Sequence, residues 1–435
     1  MKKFLALALA LAMALSLAAC GKKADDNNKG NGDEAKGSVY YLNFKPEADK
    51  AWQDLAKTYT EKTGVEVKVV TAASGQYDTM LTSELDKSAP PTMFQVGNQG
   101  AVNSYGDFCY PLDNTDVMKE MTTQDFNLKN ANGETVSIGY CYEAYGIIVN
   151  KALLKQAGYE ITDITNFESL KKVADDIHAR ANELGFDAFS SAGLEGSSSW
   201  RFSGHLANMP LFYEFRDDNV TAQPATIKGT YLPEYKNIFD LYLKDSTTEP
   251  TQLSSKTGDD STSEFSLGEA VFYQNGTWAW TDLQKAGMKA DSLGMLPIYI
   301  GVKGEEKQGL ATGSENYWCI NSKASDADKK ATKDFLKWVV TSKTGIKSLS
   351  SDMGFTTPFK SFSDVKSDNP LVQAAVEDQN SGKTAVSWNF TMMPSEEWKN
   401  KLGSALLEYA QGTGDWNAVK KAFVDGWKTE YDAVH

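Results

Sequence analysis

The feature that most constrains the fold is a strand–helix–strand alternation that begins at residue 39. Residues 39–44 ("VYYLNF") have the pattern of a short apolar strand. A helical pattern opens at Pro46 and stops at Gly64, and residues 65–70 ("VEVKVV") form a second strand pattern. Two strands joined by a helix run parallel in one sheet, since the helix has to return along the face of that sheet. The sequence therefore predicts an α/β fold with parallel or mixed sheets.

The alternation continues along the chain. Strands are predicted at residues 92–97, 147–149, 294–300 and 317–320, and helices at residues 77–85, 150–158, 167–184, 328–340, 398–410 and 416–427. Residues 265–283 should pass from helix to strand, turn at Asn275-Gly276, and enter another helix. Trp278 and Trp280 follow that turn. Residues two apart at a helix start point about 200° apart, so we expect these tryptophans to have different surroundings.

The N-terminus has the pattern of a secretory signal. Lys2 and Lys3 precede an apolar run at residues 4–17, which is too short for a permanent membrane span and is followed by "LAAC". This ending resembles the bacterial lipobox, which implies a signal peptide at residues 1–19 and a palmitate-bearing lipid anchor on Cys20. The alternative is an ordinary signal peptide that releases a soluble protein. The lipobox reading places the protein outside the cytoplasm, anchored to the bacterial cell membrane.

Residues 20–38 are predicted to be a flexible tether. They include "GKKADDNNKGNGDEAKG", which has no apolar periodicity and cannot bury enough surface to fold. A tether of this kind suits a globular body that works at a membrane surface.

Charge and composition exclude some classes of function. Cleavage after residue 19 would remove two lysines and leave 42 basic against 58 acidic residues, which argues against a nucleic-acid partner. The 10 Trp, 19 Tyr and 20 Phe residues could supply a carbohydrate or cation site as well as a core. Cys109, Cys141 and Cys319 have no CxxC spacing and are interpreted as small buried apolar residues. The histidines are scattered, so we expect no metal and no cofactor.

Five segments together resemble a known family. They are "YTEKTGVEVKV" (59–69), "PPTMFQVGNQG" (90–100), "EAYGIIVNKALLKQAG" (143–158), "GEAVFYQNGTWAW" (268–280) and "ASDADKKATKDFLKWV" (324–339). In this order, behind a lipobox and a tether, they resemble the extracellular solute-binding proteins of ABC importers, the branch that includes maltose-binding protein. Thr92 stands where that family usually has Asp. The resemblance covers residues 39–423.

The resemblance implies two α/β lobes with a ligand cleft between them. It places the N-terminal lobe at residues 39–145 and 312–354 and the C-terminal lobe at residues 146–311 and 355–435. It also implies a monomer that closes on a solute and presents it to the transmembrane subunits of an ABC permease. Chain crossings are expected near Gly146, Gly309, Gly313 and Gly354, where glycine would permit hinge motion.

Candidate binding residues follow from strand ends and from the resemblance. Asn43 and Lys45 end the first strand, and Asn98 and Gln99 follow another, at the sheet edge where α/β proteins bind ligands. A helix start and a plain turn are the alternatives for these two stretches. Uncharged Asn98 and Gln99 replace a charged pair of the maltose-binding pattern, which argues against maltose.

Further candidates lie at the predicted crossings and in aromatic loops. The resemblance gives Glu143 a hydroxyl-binding role, with a structural hinge carboxylate as the alternative. It also makes Trp278 the stacking platform and Trp280 a packing residue. The remaining candidates are Tyr145, Trp200, Glu315, Asn316 and Trp388.

Three classes of function remain open from the sequence. The first is a binding protein for a mono- or oligosaccharide, favoured by amides and a single glutamate beside aromatic platforms. The second is a binding protein for a polyamine or quaternary amine, held by carboxylates and tryptophans. The third is a surface glycosidase, which needs paired carboxylates. No GxSxG or HExxH motif occurs, and we expect binding without catalysis.

Overall fold

The computed structural model describes residues 36–434. The predicted signal peptide, Cys20 and most of the predicted tether lie outside the described residues. The strands are β1 Ser38–Asn43, β2 Glu66–Thr71, β3 Met93–Val96, β4 Glu143–Asn150, β5 Asp187–Phe189, β6 Ala270–Gly276, β7 Leu293–Leu296, β8 Gln308–Gly313, β9 Tyr317–Ile320 and β10 Thr384–Ser387.

The strands form two mixed sheets. The four-stranded sheet has the order β2-β1-β3-β9, with β1 and β2 parallel and β9 antiparallel to β3. The six-stranded sheet has the order β10-β8-β4-β6-β5, and β7 also pairs with β4. We call the parts built around these sheets the first lobe and the second lobe. The predicted α/β class with parallel or mixed sheets is confirmed.

Helices cover the sheets of both lobes. Those of the first lobe are Asp49–Thr63, Tyr77–Leu85, Gln99–Tyr105, Asp116–Glu120, Asp326–Thr341 and Lys343–Lys347. The others are Lys151–Gln156, Phe167–Ala179, Ala181–Leu184, Asn208–Asp218, Leu232–Lys244, Gly258–Ser266, Trp280–Lys285, Pro370–Asn380, Glu396–Ala410 and Trp416–Val434. Two π-helical segments, Arg201–Leu206 and Ser348–Asp352, add to them. Within residues 36–434, no helix is long and apolar enough to span a membrane.

The first strand–helix–strand unit forms as the sequence predicts, with an apolar helix face and a glycine at the end of the helix. The helix Asp49–Thr63 buries one apolar face, with Trp52, Leu55 and Tyr59 directed at the sheet. It ends at Gly64, whose φ of 69° is the left-handed conformation that glycine adopts without strain. β1 and β2 then pair in register from Ser38 opposite Glu66 to Asn43 opposite Thr71.

The predicted turn at Asn275-Gly276 is wrong. Both residues belong to β6 and pair with β4, Asn275 opposite Gly146 and Gly276 opposite Tyr145. An Asn-Gly pair favours a two-residue hairpin turn, but here both residues are paired with β4 and the strand continues to Gly276. The chain then enters a single 3₁₀ turn, Thr277–Ala279, before the next helix.

Most of the glycines predicted at hinges instead lie where neighbouring atoms leave no room for a side chain. A Cβ on Gly146 would lie 2.2 Å from the Leu296 carbonyl oxygen, and one on Gly309 would lie 2.4 Å from the Asp378 carboxylate. Both residues lie inside strands of the second lobe, where neighbouring groups need the space. Gly354, with φ of 72°, does use its conformational freedom.

The cores refine the predicted lobe boundaries. Phe355, Phe359 and Phe362 pack with Trp52 and Trp318 in the core of the first lobe, so this lobe extends beyond residue 354. The predicted boundaries at 145/146 and 311/312 fall inside β4 and β8 of the second lobe. In other respects the assignment of residues to lobes remains a prediction.

The three described cysteines are buried, as their interpretation as small apolar residues required. The sulfur atoms of Cys109 and Cys319 lie 3.8 Å apart in the first lobe. Burial raises the pKa of Cys319 and of Cys141 well above the ordinary thiol value, which keeps these thiols protonated.

Candidate ligand-binding site

A cavity of about 400 Å³ lies between the two lobes. The first lobe contributes the loops that follow β1, β2 and β3, including Lys45 and Gly97. The second lobe contributes residues 196–205, the end of β6 with Trp278, and the segment around Trp388. Strand ends and loops therefore supply most of the lining, as expected for a ligand cleft in an α/β protein.

The second-lobe wall of the cleft is aromatic. Trp278 lies between Trp200 and Trp388, with ring centroids 6.1 Å and 6.3 Å away. His205 is at the centre of the cluster, with centroids 4.9 Å from Trp200, 5.4 Å from Trp278 and 4.9 Å from Phe390. The contacts between these rings are tilted or edge-on, and none is a parallel stack.

Two of these tryptophans are seated over glycines. A Cβ on Gly276 would lie 2.2 Å from a carbon of the Trp278 ring, and one on Gly313 would lie 2.6 Å from Trp388. Real Cβ atoms essentially never come this close to another atom. The rings can occupy these positions only because the strand ends beneath them have no side chain.

A buried ion pair connects the lobes beside Trp278. Lys45, in the loop after β1, donates to both carboxylate oxygens of Glu143 at 3.0 Å and 2.9 Å and lies 3.5 Å from Glu47. Its Nζ is also 5.8 Å from the centre of the Trp278 ring. Burial acts to lower the pKa of Lys45, but the Glu143 and Glu47 carboxylates outweigh it and raise that pKa. The lysine is therefore charged.

A second lysine that lines the cleft also joins the two lobes. Lys399, on the helix Glu396–Ala410, lies 2.6 Å from Glu396 and 3.3 Å from Glu315. Burial opposes its charge, but these two carboxylates raise the pKa of Lys399 overall. Nearby, the Ser74 hydroxyl donates to the Ser197 carbonyl oxygen at 3.0 Å, a further contact between the lobes.

His205 is held neutral by its surroundings. Burial, together with the positive charges of Lys399 and Lys45, lowers the pKa of His205 to about 3. The residue lies on the π-helical segment Arg201–Leu206, a wide turn that is often found at functional sites. In the described part of the chain, no group of His, Cys, Asp and Glu side chains could hold a metal ion.

The sequence profile of one family covers most of the chain. Its description is "Bacterial extracellular solute-binding protein", and it matches residues 54–380. The chain belongs to this family. Its members act outside the cytoplasm and bind solutes, and the family resemblance read in the sequence is confirmed.

Solved structures show the same fold as this solute-binding protein. RafE in complex with raffinose has a TM-score of 0.72 at 18% identity, over 91% of this chain and 99% of that one. The GacH receptor of Streptomyces glaucescens, solved unliganded and with acarbose, has a TM-score of 0.70 at 17% identity, over 92% and 99%. A Bacillus licheniformis sugar transporter in complex with stachyose scores 0.68 at 15% identity, over 92% and 100%. The predicted two-lobed fold is confirmed.

Seven of the predicted binding residues line the cleft of the solute-binding protein: Lys45, Glu143, Trp200, Trp278, Glu315, Asn316 and Trp388. They come from six separate stretches of the chain, which the fold brings together. Their part in ligand binding remains a prediction. Trp280 does not line the cleft; it packs with Ile148, Phe265 and Leu283, so its predicted packing role is confirmed.

Four predicted residues do not line the cleft. The Asn43 amide bonds the backbone of Lys45 and the Thr71 hydroxyl, and so shapes the turn after β1. Asn98 caps the helix Gln99–Tyr105 by accepting from the Ala101 N–H, and Gln99 donates to the Lys129 carbonyl oxygen. Tyr145 is buried and donates its hydroxyl proton to the His205 carbonyl oxygen. Each polar group is already used to hold local structure.

The cleft residues that sequence reasoning missed include His205, Phe390 and Lys399. His205 and Phe390 had no motif to mark them, and the position of His205 depends on the π-helical register. Lys399 falls in the predicted helix 398–410, three residues after Glu396. A lysine three residues after a glutamate at a helix start was the available signal.

Proposed function

We propose that this solute-binding protein captures a neutral carbohydrate, a mono- or oligosaccharide, in the interlobe cleft. Tryptophan faces stack on the C–H surfaces of the sugar, and side chains from both lobes bond its hydroxyls. The bound, closed form then delivers the sugar to the membrane subunits of an ABC permease. The observation that carries this proposal is an aromatic wall of three tryptophans in a cleft where the Glu143 and Glu315 carboxylates are each paired with a lysine.

The shape and chemistry of the cleft support a sugar. A volume of about 400 Å³ lies within the usual range for small-molecule sites, roughly 300–1,000 Å³. A sugar offers apolar C–H faces for tryptophan rings and hydroxyls that both donate and accept. Contacts of one ligand with both lobes favour the closed form, since only that form makes all of them.

The ligands of similar proteins also support a sugar. RafE was solved with raffinose, the GacH receptor with acarbose, and the Bacillus licheniformis transporter with stachyose. Another similar structure is a chitin oligosaccharide binding protein, with a TM-score of 0.70.

A cationic solute fits the cleft less well. A polyamine or quaternary amine needs carboxylates that are free to neutralise it. Glu143 and Glu47 contact Lys45, and Glu315 contacts Lys399, so an incoming cation would have to compete with lysines held at 2.9–3.5 Å.

A glycosidase activity also fits the cleft less well, because Glu143 and Glu315 are paired with lysines. A glycosidase needs one carboxylic acid that is protonated and a second carboxylate on the other side of the scissile bond. Glu143 and Glu315 are each already occupied by an ion pair with a lysine. We therefore propose binding without turnover, by a monomer that the lipid on Cys20 holds at the membrane.

A thermal-shift screen tests the proposal. The panel contains raffinose, stachyose, acarbose, chitobiose and galactose, with spermidine and glycine betaine as cationic competitors. A ligand that binds only the folded protein raises the melting temperature, by an amount that grows with its concentration relative to Kd. We expect at least one sugar to raise it and to be recovered unhydrolysed after prolonged incubation. A shift with spermidine or betaine alone, or hydrolysis of a sugar, would contradict the proposal.

A further inference from the structure

We propose that His205 and Trp388 together bind one hydroxyl group of the sugar in the deepest part of the cleft. The hydroxyl donates its proton to Nδ1 of His205 and accepts a hydrogen bond from Nε1–H of Trp388. This inference rests on the proposed function, because it takes the ligand to be a sugar. Beyond that function, it names the two side chains that would recognise one particular hydroxyl group.

Both side chains have an unused polar atom. His205 and Trp388 line the cleft with only 8% and 9% of their surface exposed. Nδ1 of His205 and Nε1 of Trp388 have no hydrogen-bond partner among the described residues. Buried polar groups nearly always have a partner, because an unpaired one loses its bonds to water without compensation. Two such atoms on neighbouring rings therefore mark a place where a polar ligand group completes the structure.

The protonation of His205 makes it an acceptor at this position. In its neutral form the imidazole has one ring nitrogen that carries a proton and one that accepts a hydrogen bond. We take Nε2 to carry the proton, so that the unpaired Nδ1 is the acceptor. Burial and the nearby lysine charges keep a second proton off the neutral ring. In that form Nδ1 has a lone pair that no described residue uses.

The paired chemistry selects a hydroxyl over other groups. Trp388 can only donate and Nδ1 of His205 can only accept, so the matching group must do both. An ammonium group only donates, and a carboxylate only accepts, whereas a hydroxyl satisfies both atoms. The ring centroids are 5.8 Å apart and the rings meet edge-on, so the two side chains are direct neighbours.

Neighbouring groups hold the pair in place. The Tyr145 hydroxyl donates to the His205 carbonyl oxygen at 2.8 Å, and its ring contacts the imidazole edge-on at 4.5 Å. Trp388 is fixed against Gly313, where there is no side chain to displace it. Tyr145, predicted from the sequence to bind ligand, thus acts on the cleft through His205.

The test uses variants that keep an aromatic ring and remove only the polar atom. The probe is the sugar of the panel above that raises the melting temperature most, and Kd is measured by calorimetry. His205→Phe and Trp388→Phe should each weaken binding about tenfold, as expected for the loss of one buried hydrogen bond. Trp338→Phe, on the helix Asp326–Thr341 away from the cleft, is the matched control and should change Kd less than twofold.

Deoxy analogues of the probe identify the hydroxyl. Removal of one hydroxyl should weaken binding to the wild-type protein about tenfold, and the same analogue should bind the double variant as well as the parent sugar does. If the sugar binds and no analogue behaves in this way, the pairing is overturned while the proposed function stands. If only a cationic solute binds, both are overturned.

A measurement on the unaltered protein covers the case in which a variant fails to fold. The indole N–H signal of Trp388 in a ¹⁵N spectrum should move downfield when the probe sugar is added, because a new hydrogen bond forms there. An unchanged Trp388 signal at saturating sugar would overturn the pairing.

Discussion

At the scale of single residues, the cleft depends on how each tryptophan is held. Trp278 is half-buried and faces the cavity, while Trp280, two residues later, is buried among Ile148, Phe265 and Leu283. The change from strand to helical geometry between them separates their directions. That separation could be predicted from the sequence, because it depends only on local periodicity.

Substitution should separate the roles of the two tryptophans. Trp278→Ala should weaken sugar binding at least 100-fold, because the central stacking surface is lost, and should change the melting temperature little. Trp280→Ala leaves a cavity in a packed cluster and should lower the free energy of unfolding by about 3–5 kcal/mol. Calorimetric Kd and urea unfolding measure the two effects on both variants. A stability loss at Trp278 with unchanged affinity would reverse the assignment.

His205 shows the limit of sequence reasoning at this scale. Five aromatic rings surround its side chain. One is that of Trp200, which directly precedes the π-helical turn, and the others come from three distant stretches of the chain. Neither the wide turn nor these long-range contacts leaves a periodic signal. Asn43 and Asn98 also differ from the prediction. Their position at or after the end of a strand favoured a role in ligand binding, but their side-chain amides form hydrogen bonds with nearby backbone groups.

At the scale of elements, strand ends determine where the aromatic rings can lie. β6 ends at Gly276 beneath Trp278, and β8 ends at Gly313 beneath Trp388. Long, strongly periodic elements such as the helix Asp49–Thr63 could be predicted closely. β5, β8 and β10 were missed, because three to six residues without clear alternation resemble loops.

Gly276, at the end of β6 beneath Trp278, can be substituted to test whether the strand end positions the ring. Gly276→Ala places a methyl group where the Trp278 ring lies, so the ring must move and sugar affinity should fall about tenfold. The strand itself should tolerate alanine, and the melting temperature should change by only a few degrees. Gly106→Ala is the control, since a Cβ there meets nothing within 4 Å. Equal affinities of the two variants would show that the ring does not depend on this glycine.

At the scale of the whole molecule, the lobes meet through charged side chains. Lys45 of the first lobe pairs with Glu143 at the start of β4, and Lys399 of the second lobe pairs with Glu315 in the connection from β8 to β9. The two lobes could be predicted from the sequence, because the order of five segments resembles that of a known two-lobed family. These bridging pairs could not be anticipated, because they depend on the distance between the lobes.

Breaking one bridge should open the unliganded protein. Lys45→Met leaves the buried Glu143 carboxylate without its partner, a costly state that separation of the lobes relieves by readmitting water. We expect a larger radius of gyration by small-angle X-ray scattering, and a return towards the wild-type value with saturating sugar. Lys50→Met removes an exposed pair with Asp54 on one helix and should leave the radius unchanged. The same radius for both variants would contradict a bridging role for Lys45.

The close spacing of Trp200, Trp278 and Trp388 also has an optical consequence. Their ring centroids follow one another at 6.1 Å and 6.3 Å, a separation at which excited indoles exchange energy. A solute that touches any one of them changes the emission of the whole group. The protein thus contains its own fluorescent reporter, and it could be made into a reagentless biosensor for its ligand without attaching a dye.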